Sequence, residues 1–168
     1  MSQLAVYGTA IVFGFTAWGL VTAHYIWPVL RGWPSADALR PLLLLHCFRF
    51  MGLAFVVPGV VSPDLPAAFA SPAAYGDLIA AIFALLALAA GLQTKLGIAL
   101  VWVFGVWGTG DLLYAFYQGN RVGLQPGQLG AAYFIVIVFV PLLFITHGLV
   151  FRLLLRGNAA DAASGQTR

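Results

Sequence analysis

Glutamate is absent from this 168-residue chain, and lysine occurs once, at Lys95. Charged residues make up 8% of the whole and apolar side chains 62%, whereas a soluble surface takes roughly a quarter charged residues. That scarcity excludes a water-soluble globular domain. No polar stretch is long enough to form a second domain either, the longest being 156–168. Cysteine is limited to Cys47, which excludes an intramolecular disulfide and leaves a small buried packing residue beside His46. The basic residues give a net charge of +3 but stand singly at the ends of apolar runs, so no nucleic-acid face is built. The first 29 residues have neither the basic start nor the small-residue cleavage site of a signal peptide, so a retained helix is expected there. HExxH and paired CxxC motifs are also missing, which removes the support for a hydrolytic zinc site.

What the chain does have is apolar length. Its mean hydropathy is +0.96, and breaks at proline, glycine and charge leave five runs near 3–30, 41–61, 73–92, 95–118 and 128–155. Each meets the roughly 20 residues that a transmembrane helix needs. The expected fold is therefore all-α, a polytopic bundle of five transmembrane helices in a single domain, 1–156, followed by a disordered cytoplasmic tail, 157–168. The Pro-rich connector 62–72 cannot span, and Ser71 and Pro72 read as the N-cap and first position of the third helix. The segment 91–95 predicts a tight helical hairpin, and 119–127 a surface turn. Arg31, Arg40, Lys95, Arg152, Arg156 and Arg168 fall on one side and Arg121 on the other, which predicts an outside N-terminus and a cytoplasmic C-terminus in a bacterial inner membrane. The Ala-rich third helix reads as a central packing element, Pro58 and Pro141 as kinks inside the second and fifth helices, and Trp27 and Trp33 as interfacial anchors.

Against this apolar background the polar residues are few. His46 and Arg49 interrupt PLLLLHCFRFMGLAFVVPGVV, residues 41–61, where an unpartnered ionisable group costs at least about 2.5–3.5 kcal/mol. At about 1.5 Å per residue from the nearest basic anchor, His24, His46 and His147 all lie about 7–11 Å into the inner leaflet. Such a shared layer is open to two readings: separate histidines each bonded to a carbonyl or headgroup, or ligands of a metal or b-type haem, with Arg49 opposite a propionate. Three histidines suffice for one bis-His haem at most. In that the chain departs from the two-haem four-helix b-type cytochromes, which it resembles in size and polytopic character.

A second constellation joins Arg49, close to the midplane, with Asp111 and Asp77 in the outer half. The i, i+4, i+7 spacing of Trp107, Asp111, Tyr114 and Gln118 places them on one helical face. Because arginine keeps its charge and grips an acceptor with planar donors, Arg49, His46, Asp111, Asp77, Trp107 and Tyr114 are expected to bind or transfer a lipophilic anionic or carbonyl-bearing small molecule. The alternatives are the haem or metal protein with ligands among His24, His46 and His147, and a structural or accessory membrane subunit, as a homo-oligomer or within a complex. The sterol-isomerase-like membrane enzymes are similar in size and polar-aromatic content, but the chain has no glutamate and no evident nucleophile.

Overall fold

In lipid, a backbone has to close its hydrogen bonds within each segment, and every long apolar run of this chain is helical. The computed structural model describes the backbone of residues 1–165 and the side chains of residues 1–157. Five helices are long and apolar enough to cross a membrane: α1 (Gln3–Leu30), α2 (Ser35–Val56), α3 (Ala67–Ala90), α4 (Lys95–Arg121) and α5 (Ile135–Gly157). The last continues as backbone helix through Gly165, into the segment expected to be a tail, and residues 166–168 lie outside the described residues.

Helix ends follow local chemistry. Ser2 caps α1 by accepting from the Ala5 N–H at 3.2 Å, and Thr94 caps α4 by accepting from Gly97 at 2.9 Å. Gly91, at φ +83, makes the turn of the α3–α4 hairpin. Two boundaries differ from the sequence reading. α3 begins at Ala67, so Ser71 is not its cap and Pro72 lies inside it. A proline there has no N–H for the carbonyl four residues back, and the buried Gln118 of α4 supplies the missing donor, Nε2 to the Ala68 oxygen at 3.1 Å. α2 ends at Val56, so Pro58 stands beyond it in a turn rather than kinking it. Pro141 is inside α5 as expected, preceded by a π-helical turn at Ile135–Phe139. There α1 comes close: Trp18 Nε1 donates to the Val138 carbonyl at 2.9 Å, and a Cβ on Gly14 would collide with the Ile137 carbonyl.

Two apolar clusters stack along the bundle. One joins Leu39, Leu42 and Leu43 of α2 to Val101 and Phe104 of α4 and Val150, Leu153 and Leu154 of α5. The other, at the far end, joins Phe55, Phe69, Ala73, Leu129 and Val136. The alanines of α3 (Ala74, Ala80, Ala81, Ala84, Ala87) are buried and let its neighbours approach closely. α1 is peripheral, with no buried residue in its apolar window. Its end is held where Arg156 donates to the Arg31 and Trp33 carbonyls at 2.8 and 2.7 Å, while Arg152 lies 4.0 Å from the Trp27 ring centre.

Because Ala84 is fully enclosed, Ala84→Leu is expected to cost about 1–3 kcal/mol by overpacking. Leu85→Ala, on the exposed face one residue away, is expected to be nearly silent. Thermal unfolding of the two variants in one detergent, followed by circular dichroism, checks the contrast.

Candidate functional site

The functional cluster is set up by an irregularity in α2. After His46 the helix tightens from α to 3-10 over Cys47–Val56. With three residues per turn, positions i, i+3, i+6 and i+9 eclipse, so His46, Arg49, Gly52 and Phe55 form one straight buried stripe. In an α-helix at about 100° per residue, Phe55 would stand on the opposite side from His46. The neighbours Phe48, Phe50 and Met51 face outward.

Arg49 is fully buried and reaches three other helices. Its Nε donates to Asp77 Oδ1 of α3 at 2.6 Å, and its Nη2 to Asp111 Oδ2 of α4 at 2.7 Å. Nη1 donates to the Gly108 carbonyl at 3.2 Å and meets His147 Nε2 of α5 at 3.0 Å. Four of the five guanidinium hydrogens are thereby engaged. Small residues make the approach possible. A Cβ on Gly52 would strike Asp77, one on Gly76 would strike Asp111, and one on Gly108 would meet both Arg49 and His147 at 2.6 Å.

The histidines below continue the network. A guanidinium only donates, so His147 Nε2 accepts and its Nδ1 carries the hydrogen. His46 Nε2 meets Thr146 Oγ1 at 3.0 Å. That hydroxyl gives its hydrogen back along α5, to the Leu142 carbonyl at 2.8 Å, so His46 Nε2 donates. The two rings lie 4.3 Å apart between centres, and Phe104 stacks on His147 at 4.9 Å. Neither Nδ1 atom has a hydrogen-bond partner.

These tautomers bear on a cofactor. His147 has one nitrogen occupied by Arg49 and the other protonated, so it has no lone pair for a metal in this arrangement. His24, expected in the same layer, is exposed on α1 and takes no part. His46 Nδ1 is the one imidazole lone pair left in the buried cluster, and among the described residues no three His, Cys, Asp or Glu side chains are grouped to hold a metal ion. With His24 exposed apart from the cluster and the His46 and His147 rings 4.3 Å apart, the residues do not fit the bis-His haem that one of the two readings of the layer allowed.

Above the arginine a cavity of about 330 Å³ opens between α1, α3, α4 and α5. Its walls are apolar, with Ile11, Phe55, Phe69, Leu112 and Val136 among them, and Asp77 and Asp111 stand at its inner end. Leu4 and Gly8 of α1 and Phe116 and Asn120 of α4 line it while remaining exposed, so its mouth lies between those helices, on the side of the bundle. Arg49 does not line it.

The sequence reading thus placed Arg49, His46, Asp77 and Asp111 in what proves to be one cluster. Trp107 and Tyr114 lie elsewhere: Trp107 Nε1 donates to the Gly76 carbonyl at 3.2 Å, Tyr114 accepts from Gln118 at 2.9 Å, and neither lines the cavity. Gly108, Thr146 and the α1 wall escaped the sequence reading. Gly108 acts through its carbonyl, and α1 approaches only in three dimensions; Thr146, beside His147 in sequence, was the one with a visible signal.

Comparison with known proteins adds a family. Residues 6–155 match the family model described as a domain of unknown function, DUF8737. No curated protein and no solved structure matches the chain.

Replacing Arg49 with methionine leaves the buried acid pair with no counter-charge and no donor, which is expected to cost about 3–5 kcal/mol. Combining Arg49→Met with Asp77→Asn and Asp111→Asn is expected to recover most of that loss, because the uncompensated charges go too. Unfolding of the single and triple variants in detergent measures the difference, and equal loss in both would refute the electrostatic account.

Proposed function

The chain belongs to the DUF8737 family, and we propose that it is an integral membrane protein which binds a lipophilic small molecule in the cavity above Arg49, polar end inward. One observation carries this reading: an apolar cavity of about 330 Å³, open to the side, ends in two carboxylates. Ligand sites are mostly apolar concavities with a few convergent polar groups, and a mouth between two lipid-facing helices admits molecules dissolved in the bilayer.

The polarity of the ligand follows from which atoms reach the cavity. An anionic or carbonyl head, the expectation from Arg49 alone, would meet Asp77 and Asp111 before the guanidinium, whose donors they already occupy. Carboxylates accept hydrogen bonds and attract positive charge, so the fitting head group is a donor or a cation. Arg49 is then a positioning residue that fixes both acids.

The charge pattern supports an inner-membrane orientation with the N-terminus outside. Arg31, Arg152 and Arg156 gather at one end of the bundle, and the cavity lies toward the other, in the outer half. A second reading, a structural or accessory subunit, is favoured by the near-complete engagement of the Arg49 donors. It predicts no dependence of any binding on the cavity walls.

Aminoanthracene, a neutral aromatic donor that brightens in apolar surroundings, separates the two. The native protein in nanodiscs is expected to enhance its emission saturably. Ala115→Phe, which fills the cavity from α4, is expected to weaken binding at least tenfold while the helical circular dichroism stays unchanged. Equal enhancement by both proteins would leave the subunit reading standing.

A further inference from the structure

Two carboxylates against one guanidinium leave one negative charge uncompensated in the buried cluster. The histidines do not supply the missing positive charge. His147 accepts from Arg49 and is neutral, and a second proton on His46 would sit at Nδ1, a buried atom with no acceptor. The residues that line the cavity together with the acids are apolar or uncharged, among them Phe55 from α2, Ala73 from α3, Leu112 from α4, Val136 and Val140 from α5, and Tyr7, the α1 residue with an ionisable group in the wall. Asp77 is 7% exposed, and each acid side chain retains 9% of its surface. Each uses one oxygen on Arg49, and no hydrogen bond reaches Asp77 Oδ2 or Asp111 Oδ1 among the described residues. The charge deficit therefore stands at the inner end of an apolar cavity.

We infer that the ligand of this cavity is a lipophilic monocation, such as a protonated or quaternary amine, and that it is taken up in exchange for one proton held by the Asp77–Asp111 pair. The inference rests on the reading of the cavity as a ligand site. Without the cation, the pair and Arg49 together reach neutrality by carrying a proton; with it, the carboxylic acid O–H breaks, the proton leaves to solution and the carboxylate pairs with the cation. One positive charge enters and one leaves, so the buried charge stays constant. The proton belongs to the pair rather than to one acid, since two carboxylates on a single guanidinium titrate together. Apolar walls select against hydrated inorganic cations, and the acid end selects against anions.

The test uses the full chain in nanodiscs with benzyltrimethylammonium and its neutral isostere neopentylbenzene as probes. Displacement of aminoanthracene gives affinity, and calorimetry in two buffers of different protonation heat counts protons released. The expected result is binding of the cation at least tenfold tighter than the isostere, release of about one proton per cation, and affinity rising toward tenfold per pH unit while the pair is protonated. Asp111→Asn is expected to abolish proton release and Asp111→Glu to keep it; the probe comparison and the proton count need no variant and stand if either fails to fold. Equal affinity for the two probes, absence of proton release, or release driven as well by sodium chloride alone would overturn the inference. Should aminoanthracene bind the native protein while the cation does not, the cavity reading survives and this inference falls; should no probe bind, both fall.

Discussion

A guanidinium buried in an apolar bundle has to be satisfied from all sides at once, and Arg49 imposes that demand on four helices. α3 and α4 each bring a carboxylate, α4 also a carbonyl, and α5 an imidazole lone pair. Apolar side chains do little to specify how helices stand beside one another in lipid, because tails are as apolar as they are. The arginine fixes register by making one arrangement far less costly than its neighbours. A ratchet of one turn, about 5.4 Å, would carry the acids out of reach. Glycines 52, 76 and 108 belong to the same demand, since each gives the room that a carboxylate or imidazole needs.

The 3-10 stretch of α2 is the backbone counterpart. Ten residues of 3-10 helix are long for a geometry that rarely exceeds a few, and the gain lies in alignment. The tighter winding keeps His46, Arg49, Gly52 and Phe55 on one line, so one helix serves the histidine pair, the carboxylates and the cavity wall in sequence. It also explains why Pro58 falls beyond the helix: at about 2 Å per residue the second half of α2 uses fewer residues to cover its length.

Helix number and approximate span limits were legible because hydropathy and length suffice for both. The ion-pair partners were legible for a different reason: with so few charges, Arg49 had only Asp77 and Asp111 within reach of the midplane. The histidine layer was legible only in part. Counting residues from basic anchors gives depth but no azimuth, so His24 was grouped with His46 and His147 although it faces outward. The winding of α2 and the entry of α3 before Pro72 also lay outside a reading based on apolar runs, since both depend on what neighbouring helices supply, Gln118 for the Ala68 carbonyl above all. A cavity among α2, α3, α4 and α5 follows from the polar residues of those helices, but its α1 wall does not, because α1 is placed against the bundle only in three dimensions.

The vertical order of layers constrains what the site can do. Phe104 packs against both histidine rings, and beyond it Leu39, Leu43, Val150 and Leu153 continue one apolar cluster. Above the acids the cavity opens sideways between α1 and α4. The polar network and the cavity thus share one half of the bundle, and the Leu and Val layer packs against the other side of the histidines. Connecting the far side would need the Leu and Val layer to part and Arg49 to release His147, two costs that fall together because both helices in question, α2 and α5, carry the layer and the node. Arg49 and its two acids therefore tie the packing of four helices to the inner end of the cavity.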